Sequence, residues 1–254
     1  RPEATAEDVR YLLAATRHAF PSLSLEPSDV LATWTGIRPL LSEEDAANPS
    51  DISREHRIEV RRDGVIVIAG GKFTTYRKMA AECLDRAATT IGLAGGTPHL
   101  RRCQTKQLPL PGSVGLTSER AFTDLERELG DAFGGDRAIG AHLATTYGIR
   151  GRNVARLAHA TPGFKERIDA ELPYVWAEIA HAAHSEEIST LEDVMVRRTQ
   201  LFYRAFDQSL ATAGHAADII GNALGWNDRE RQTQVTAYEA KIAANNAWRG
   251  HRRR

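Results

Sequence analysis

Lys72, in the run Gly70-Gly71-Lys72-Phe73-Thr74-Thr75, and two arginines upstream of it, Arg38 and Arg54, are the residues of this chain best placed to do chemistry. Arg38 lies between Ile37 and Pro39, an apolar, extended context in which a guanidinium needs an anionic partner. That partner is either a ligand or one of the chain's own carboxylates. Arg54 opens the run Ser53-Arg54-Glu55-His56, ahead of alternating Ile58 and Val60. A planar guanidinium binds phosphate or carboxylate through two parallel hydrogen bonds, and a lysine adds a compact charge. Two arginines and a lysine converging near a helix N-terminus would make an anion site.

The elements that must position them follow from the local pattern. Val65 to Ala69 is an unbroken, β-branched apolar run, which predicts a strand covered on both faces. Asp63-Gly64 predicts a two-residue hairpin turn leading into it. Gly70-Gly71 ends the strand and allows close backbone approach, and Thr74 or Thr75 is a cap candidate for the helix that follows. Tyr76, Met79, Ala80, Cys83, Leu84, Ala87 and Ile91 recur along that helix at helical spacing. Such a turn aims free N–H groups and a positive helix end at one spot, which suits a phosphate or a ring that gains negative charge.

Thr35-Gly36-Ile37-Arg38-Pro39-Leu40, Ser53-Arg54-Glu55-His56 and Gly70-Gly71-Lys72-Phe73-Thr74-Thr75-Tyr76-Arg77, in this order and spacing, resemble the C-terminal part of FAD-dependent glycerol-3-phosphate dehydrogenases. The resemblance covers nearly the whole chain. It implies oxidation of sn-glycerol 3-phosphate to dihydroxyacetone phosphate, with hydride transfer to FAD. Gly70, Gly71, Lys72, Phe73, Thr74 and Thr75 would bind the cofactor, and Arg38, Arg54 and Lys72 the substrate phosphate. The catalytic base is not assigned to any residue. Quinone or another electron acceptor is implied as a partner, with cytoplasmic location, peripheral association with the cytoplasmic membrane, and a homodimer as further expectations. A related FAD-dependent amine, amino-acid or glycerophosphate oxidase is one alternative; a helical interaction or dimerisation module without activity of its own is another. The family's dinucleotide-binding turn, G-x-G-x-x-G, does not occur in these 254 residues. They therefore read as the C-terminal half of a longer protein, expected to be inactive alone.

The fold class expected is α+β, mostly α. Residues 1–91 would be the C-terminal part of an FAD/substrate domain, 92–115 a Gly- and Pro-rich linker, and 116–254 an all-helical C-terminal domain. Predicted helices run from Ala6 to Phe20 with Thr5 as cap, Ser118 to Leu129, Arg137 to Tyr147, Arg152 to His159, Tyr174 to His184, Thr190 to Leu210, Ala216 to Leu224 and Asp228 to Asn246. Ser189-Thr190-Leu191-Glu192 fits a capping box for the longest of them. Asp193, Arg197 and Arg198 read as ion-pairing residues, and His142 and His159 as structural.

Composition bounds the alternatives. A hydrophobic content of 42% and a formal charge of zero describe a globular protein and point to no nucleic-acid partner. No apolar run reaches transmembrane length. Two cysteines, Cys83 and Cys103, suggest no disulfide framework. Glu178, His181 and His184 share one face of a helix at metal-ligand spacing, but with no fourth ligand they read as a polar helix face, so no metal is expected. Neither a nucleophile elbow nor a P-loop is present.

Overall fold

The computed structural model describes residues 2–37, 55–90, 92 and 103–250. The chain divides into two compact units, Gly36–Pro109 and, discontinuously, Arg1–Thr35 with Leu110–Arg254.

In the smaller unit, strands β1 (His56–Val60) and β2 (Ile66–Gly70) pair antiparallel, with His56 opposite Gly70 and Ile58 opposite Ile68. Their connection is one residue longer than the sequence suggested. Arg61 N–H donates to Val65 C=O at 2.8 Å, so Arg62, Asp63 and Gly64 form the loop, and Gly64 takes the left-handed conformation with φ 82°. Helix α2 (Tyr76–Thr90) follows a single 3-10 turn, Phe73–Thr75. The expectation of a strand covered on both faces is corrected here. Val67 and Ile68 remain 39% and 38% exposed; among the described residues the two-stranded sheet and one helix cover only part of them.

The larger unit is helical. It comprises α1 (Ala6–Ala19), α3 (Glu119–Ala132), α4 (Arg137–Tyr147), α5 (Gly151–Ala160), α6 (Trp176–Ser185), a short α7 (Leu201–Arg204), α8 (Ala213–Leu224) and α9 (Asp228–Asn246). Boundaries follow the caps. Thr5 with Asp8 and Asn227 with Glu230 form capping boxes, and Ser118 and Asp136 accept from the first free N–H groups of α3 and α4. Two cores meet along α6: Leu125, Leu129, Leu143 and Val154 with Ala177 on one side, and Ile179, Leu191, Met195, Leu201, Phe202 and Ile220 on the other. Each of the large side chains contributes roughly 1.5–3 kcal/mol by leaving water.

Residues 1–35 depart from the sequence-based grouping. They belong with the helical unit, since Thr33 exchanges hydrogen bonds with Asn245 of α9 (3.1 and 2.6 Å) and Trp34 meets Tyr203 edge to face at 5.7 Å. From Leu110 onward the stretch read as linker also belongs there, with Gly112 packed backbone to backbone on Gly148.

The long helix expected from Thr190 to Leu210 is broken. A π-helical segment, Asp193–Arg198, ends where Thr199 returns both its N–H and its hydroxyl to the carbonyl of Val194, each at 2.9 Å. Gln200 then turns left-handed (φ 60°), as do Gln208 and Ser209 (both φ 57°). Buried apolar residues surround this segment on several sides instead of forming one stripe, and that selects a distorted path over a regular helix. The capping box forms one residue later than expected, between Thr190 and Asp193 (2.9 and 3.1 Å). Arg197 pairs with Glu192 and Asp193, and Arg198 with Glu186, so the ion-pairing reading of this cluster agrees with the geometry.

The polar-face reading of α6 is also corrected. Glu178 and His181 are buried, at 0% and 4% exposure. Glu178 Oε2 lies 2.8 Å from His142 Nε2 and accepts from the Tyr147 hydroxyl at 2.9 Å, while Oε1 accepts from Val175 N–H at 2.9 Å. Among the described residues no group of three or more His, Cys, Asp or Glu side chains could hold a metal, and no helix is long and apolar enough to cross a membrane.

The α3–α4 crossing depends on Gly140, where a Cβ would strike the carbonyl of Glu126 and come within 2.7 Å of the Gly130 nitrogen. Gly140→Ala should lower the urea-unfolding free energy by roughly 1–3 kcal/mol, the overpacking cost outweighing the helix-propensity gain. Gly214→Ala on α8, with open space around its Cβ, should be neutral or stabilise by about 0.4–1 kcal/mol. Equal shifts in the two midpoints would contradict the packing argument.

Candidate functional site

The glycine turn is assembled by three elements of the smaller unit. β2 delivers Gly70 and Gly71 with φ 73° and 83°, a left-handed pair that residues with a Cβ adopt only at a cost. At Gly71 a Cβ would lie 2.6 Å from Met79 Cε of α2 and 3.0 Å from His56 Cβ of β1, so helix and sheet close directly over the turn. Lys72 then begins the 3-10 turn.

Contrary to expectation, neither threonine caps this turn. Thr75 N–H and Thr75 Oγ1 both donate to the carbonyl of Lys72, at 3.0 and 2.9 Å. Among the described residues the N–H groups of Lys72, Phe73 and Thr74 donate no hydrogen bond, and they stand at the exposed start of the 3-10 and α-helical run. Phe73 is 89% exposed and stacks on Tyr76 at 5.7 Å and 27°.

A cavity of about 320 Å³ opens beside the turn, lined by Glu55, His56, Gly71, Lys72, Thr75 and Lys78. Lys78 is 3.5 Å from Glu82, whereas Lys72 makes no ion pair among the described residues. N–H groups and an ammonium that are uncommitted among the described residues therefore stand together with a helix N-terminus, and each attracts negative charge.

His56 and Glu82 form the clamp under this turn. His56 Nε2 is 2.6 Å from Glu82 Oε2, which ties β1 to the second turn of α2. Sequence reasoning placed His56 on the strand but missed Glu82, although its position four residues after Lys78 puts it on one helix face with that lysine. The hydrogen bond with His56, assisted by Lys78, holds the Glu82 carboxyl below its ordinary value.

Of the residues named from sequence, Gly70, Gly71, Lys72, Phe73, Thr74 and Thr75 are brought together here. Arg38 and Arg54 lie outside the described residues.

A depressed carboxylate contributes stability that is present above its unfolded value and lost as pH falls through the folded one. The β1–α2 clamp should therefore weaken as acid protonates Glu82. In an NMR pH titration the Glu82 side-chain carboxyl should titrate below the chain's exposed glutamates, and His56→Ala should bring it back up to them. An unchanged Glu82 midpoint in His56→Ala would remove the clamp from the account.

The comparisons with known proteins bear on both units. A family model described as the C-terminal domain of alpha-glycerophosphate oxidase matches residues 103–231, just over half of the chain. A probable mitochondrial glycerol-3-phosphate dehydrogenase of Dictyostelium discoideum is 32% identical over 241 residues, covering 92% of this chain and 36% of that protein. The human mitochondrial glycerol-3-phosphate dehydrogenase is 31% identical over 239 residues, covering 92% and 31%. The crystal structure of glycerol-3-phosphate dehydrogenase from Bacillus halodurans, complexed with FAD, superposes with a TM-score of 0.74 at 28% identity, over 96% of this chain and 46% of that one. The chain thus spans about a third of the length of these curated relatives and under half of the solved chain. With more than half of it matched to that C-terminal domain, the chain belongs to the family of glycerol-3-phosphate dehydrogenases and alpha-glycerophosphate oxidase.

Proposed function

We propose that this chain is part of a flavoenzyme that oxidises sn-glycerol 3-phosphate to dihydroxyacetone phosphate, with FAD as the hydride acceptor. The observation that carries the reading is the Gly70–Thr75 turn: a left-handed glycine pair with Met79 and His56 closing on Gly71, followed by three N–H groups that donate no bond, and a lysine that makes no ion pair, among the described residues. These features fit a flat ring whose edge gains negative charge, and FAD, when bound, supplies that ring and accepts the hydride. The family membership supports the same assignment.

In this reading the chain's residues orient and stabilise. The N–H groups of the turn and the start of α2 would hold the electron-rich edge of the ring, with Lys72 adding charge. Lys72 is also shared with the substrate side, where Arg38 and Arg54 grip the phosphate through their planar forks. Phosphate binding places the carbinol carbon for oxidation, so that remote binding energy is used for orientation. A quinone at a membrane surface would be the electron acceptor, and the enzyme a peripheral homodimer on the cytoplasmic side. The match to an oxidase's C-terminal domain supports a second reading, in which oxygen is the acceptor. Hydrogen peroxide formed in step with glycerol 3-phosphate consumption would favour oxygen; turnover that requires added quinone would favour the dehydrogenase.

The phosphate assignment is tested in the complete flavoenzyme. Arg38→Lys keeps the charge but loses the fork, and should raise KM for glycerol 3-phosphate and lower kcat. Arg38→Ala should cost more, about 2–5 kcal/mol in kcat/KM. Turnover of unphosphorylated glycerol should barely change in either variant, and the flavin spectrum should stay the same. If both substrates lose the same factor while FAD stays bound, Arg38 is structural and the assignment fails.

A further inference from the structure

The helical unit holds a cavity that the proposed reaction does not use. It has a volume of about 420 Å³, within the range of small-molecule sites, and lies between α4 and the broken segment that replaces the expected long helix. No aspartate or glutamate lines it. One wall is the His142, Thr145 and Thr146 face of α4; the other carries Arg198, Gln200 and Arg204.

Both arginines are held in place. Arg204 donates to the Tyr174 hydroxyl at 3.1 Å and lies 5.6 Å from the centre of that ring, and it has no carboxylate partner among the described residues. Arg198 is anchored on one side by Glu186 (3.3 Å) and by the carbonyl of Glu187 (2.7 Å). Tyr174 is in turn packed edge to face on His142 at 4.3 Å, and His142 is fixed by its bond to buried Glu178. Gln200 reaches the wall from a left-handed backbone (φ 60°) directly after the π-helical turn, an arrangement that costs energy and recurs at functional sites.

We propose that this cavity binds a phosphate monoester of a small molecule, distinct from the substrate contacts of the Gly70–Thr75 turn. Two guanidinium groups from one wall and threonine hydroxyls from the other offer donors on opposite sides. A tetrahedral dianion has enough acceptor oxygens to use them all, whereas a planar carboxylate does not. No acid lines the cavity; Glu186 already pairs with Arg198 from outside it, so Arg204 supplies the uncompensated charge, and the volume leaves room for a few carbon atoms beyond the phosphate.

The test is an NMR titration of the 254-residue chain, reading the arginine Nε–H signals, with inorganic phosphate and glycerol 2-phosphate as separate probes. The expected result is a saturable shift of Arg198 and Arg204 with glycerol 2-phosphate in the millimolar range or below, and weaker binding of inorganic phosphate. Arg204→Gln should weaken the binding by roughly tenfold or more, the loss of one charge-assisted contact. Lys72→Gln, in the other unit, should leave it unchanged. No saturable shift of these two signals in the unaltered chain overturns the proposal, whether or not the variant folds. So does binding that survives Arg204→Gln but is lost in Lys72→Gln, which would assign the phosphate to the glycine turn. Tighter binding of inorganic phosphate than of the ester would overturn the monoester assignment.

Discussion

The helical unit is built around a carboxyl group out of water. Glu178 is fully buried, and burying a carboxylate carries an effective penalty of several kcal/mol unless its lone pairs are met. The structure meets them from three directions: His142 in the middle of α4, the hydroxyl of Tyr147 at its end, and the Val175 N–H at the start of α6 itself. The requirement fixes how α4 lies against α6. It also pushes the Tyr147 phenol far above its ordinary value, through burial and the neighbouring carboxylate, so Tyr147 serves as a donor only.

From that centre the aromatic neighbours follow. His142 meets Tyr174, Tyr147 meets His181 at 5.4 Å, and Tyr174 receives Arg204. His181 shows how much the same burial asks of a residue left outside the network. Its Nδ1 has no hydrogen-bond partner among the described residues, and desolvation lowers its pKa, favouring the neutral ring. Packing supplies the rest: leucines and isoleucines fill both sides of α6, and Gly140 lets α3 and α4 approach to backbone contact.

The smaller unit follows a different logic. Among the described residues it contributes none to the two buried cores, and the same few residues hold its elements together and form the candidate site. Gly71 is needed both for the left-handed turn and for the contact with Met79, and His56 both pairs in β1 and holds Glu82. Among the described residues such economy leaves the N–H groups of Lys72, Phe73 and Thr74 uncommitted. They are oriented by elements on either side, the preorganisation that the proposed cofactor contact would use.

Much of this was legible in the sequence, where a single local cause sufficed. Asp136 and Asn227 start helices because their side chains accept the first free N–H groups, and the predicted Arg137 to Tyr147 and Asp228 to Asn246 are the observed α4 and α9. The glycine turn was visible for the same reason: left-handed backbone selects glycine wherever the chain folds. Tertiary structure decided what depends on neighbours distant in the chain. Glu178 and His181 looked like a polar helix face because helical spacing shows which residues share a face but not what that face meets. The run from Thr190 to Leu210 looked like one helix because propensity is local, whereas the π turn at Val194 and the left-handed Gln200 answer to cores on several sides. The pairing of Thr33 with Asn245, 212 residues apart, has no local signature at all; only the folded chain brings the two together.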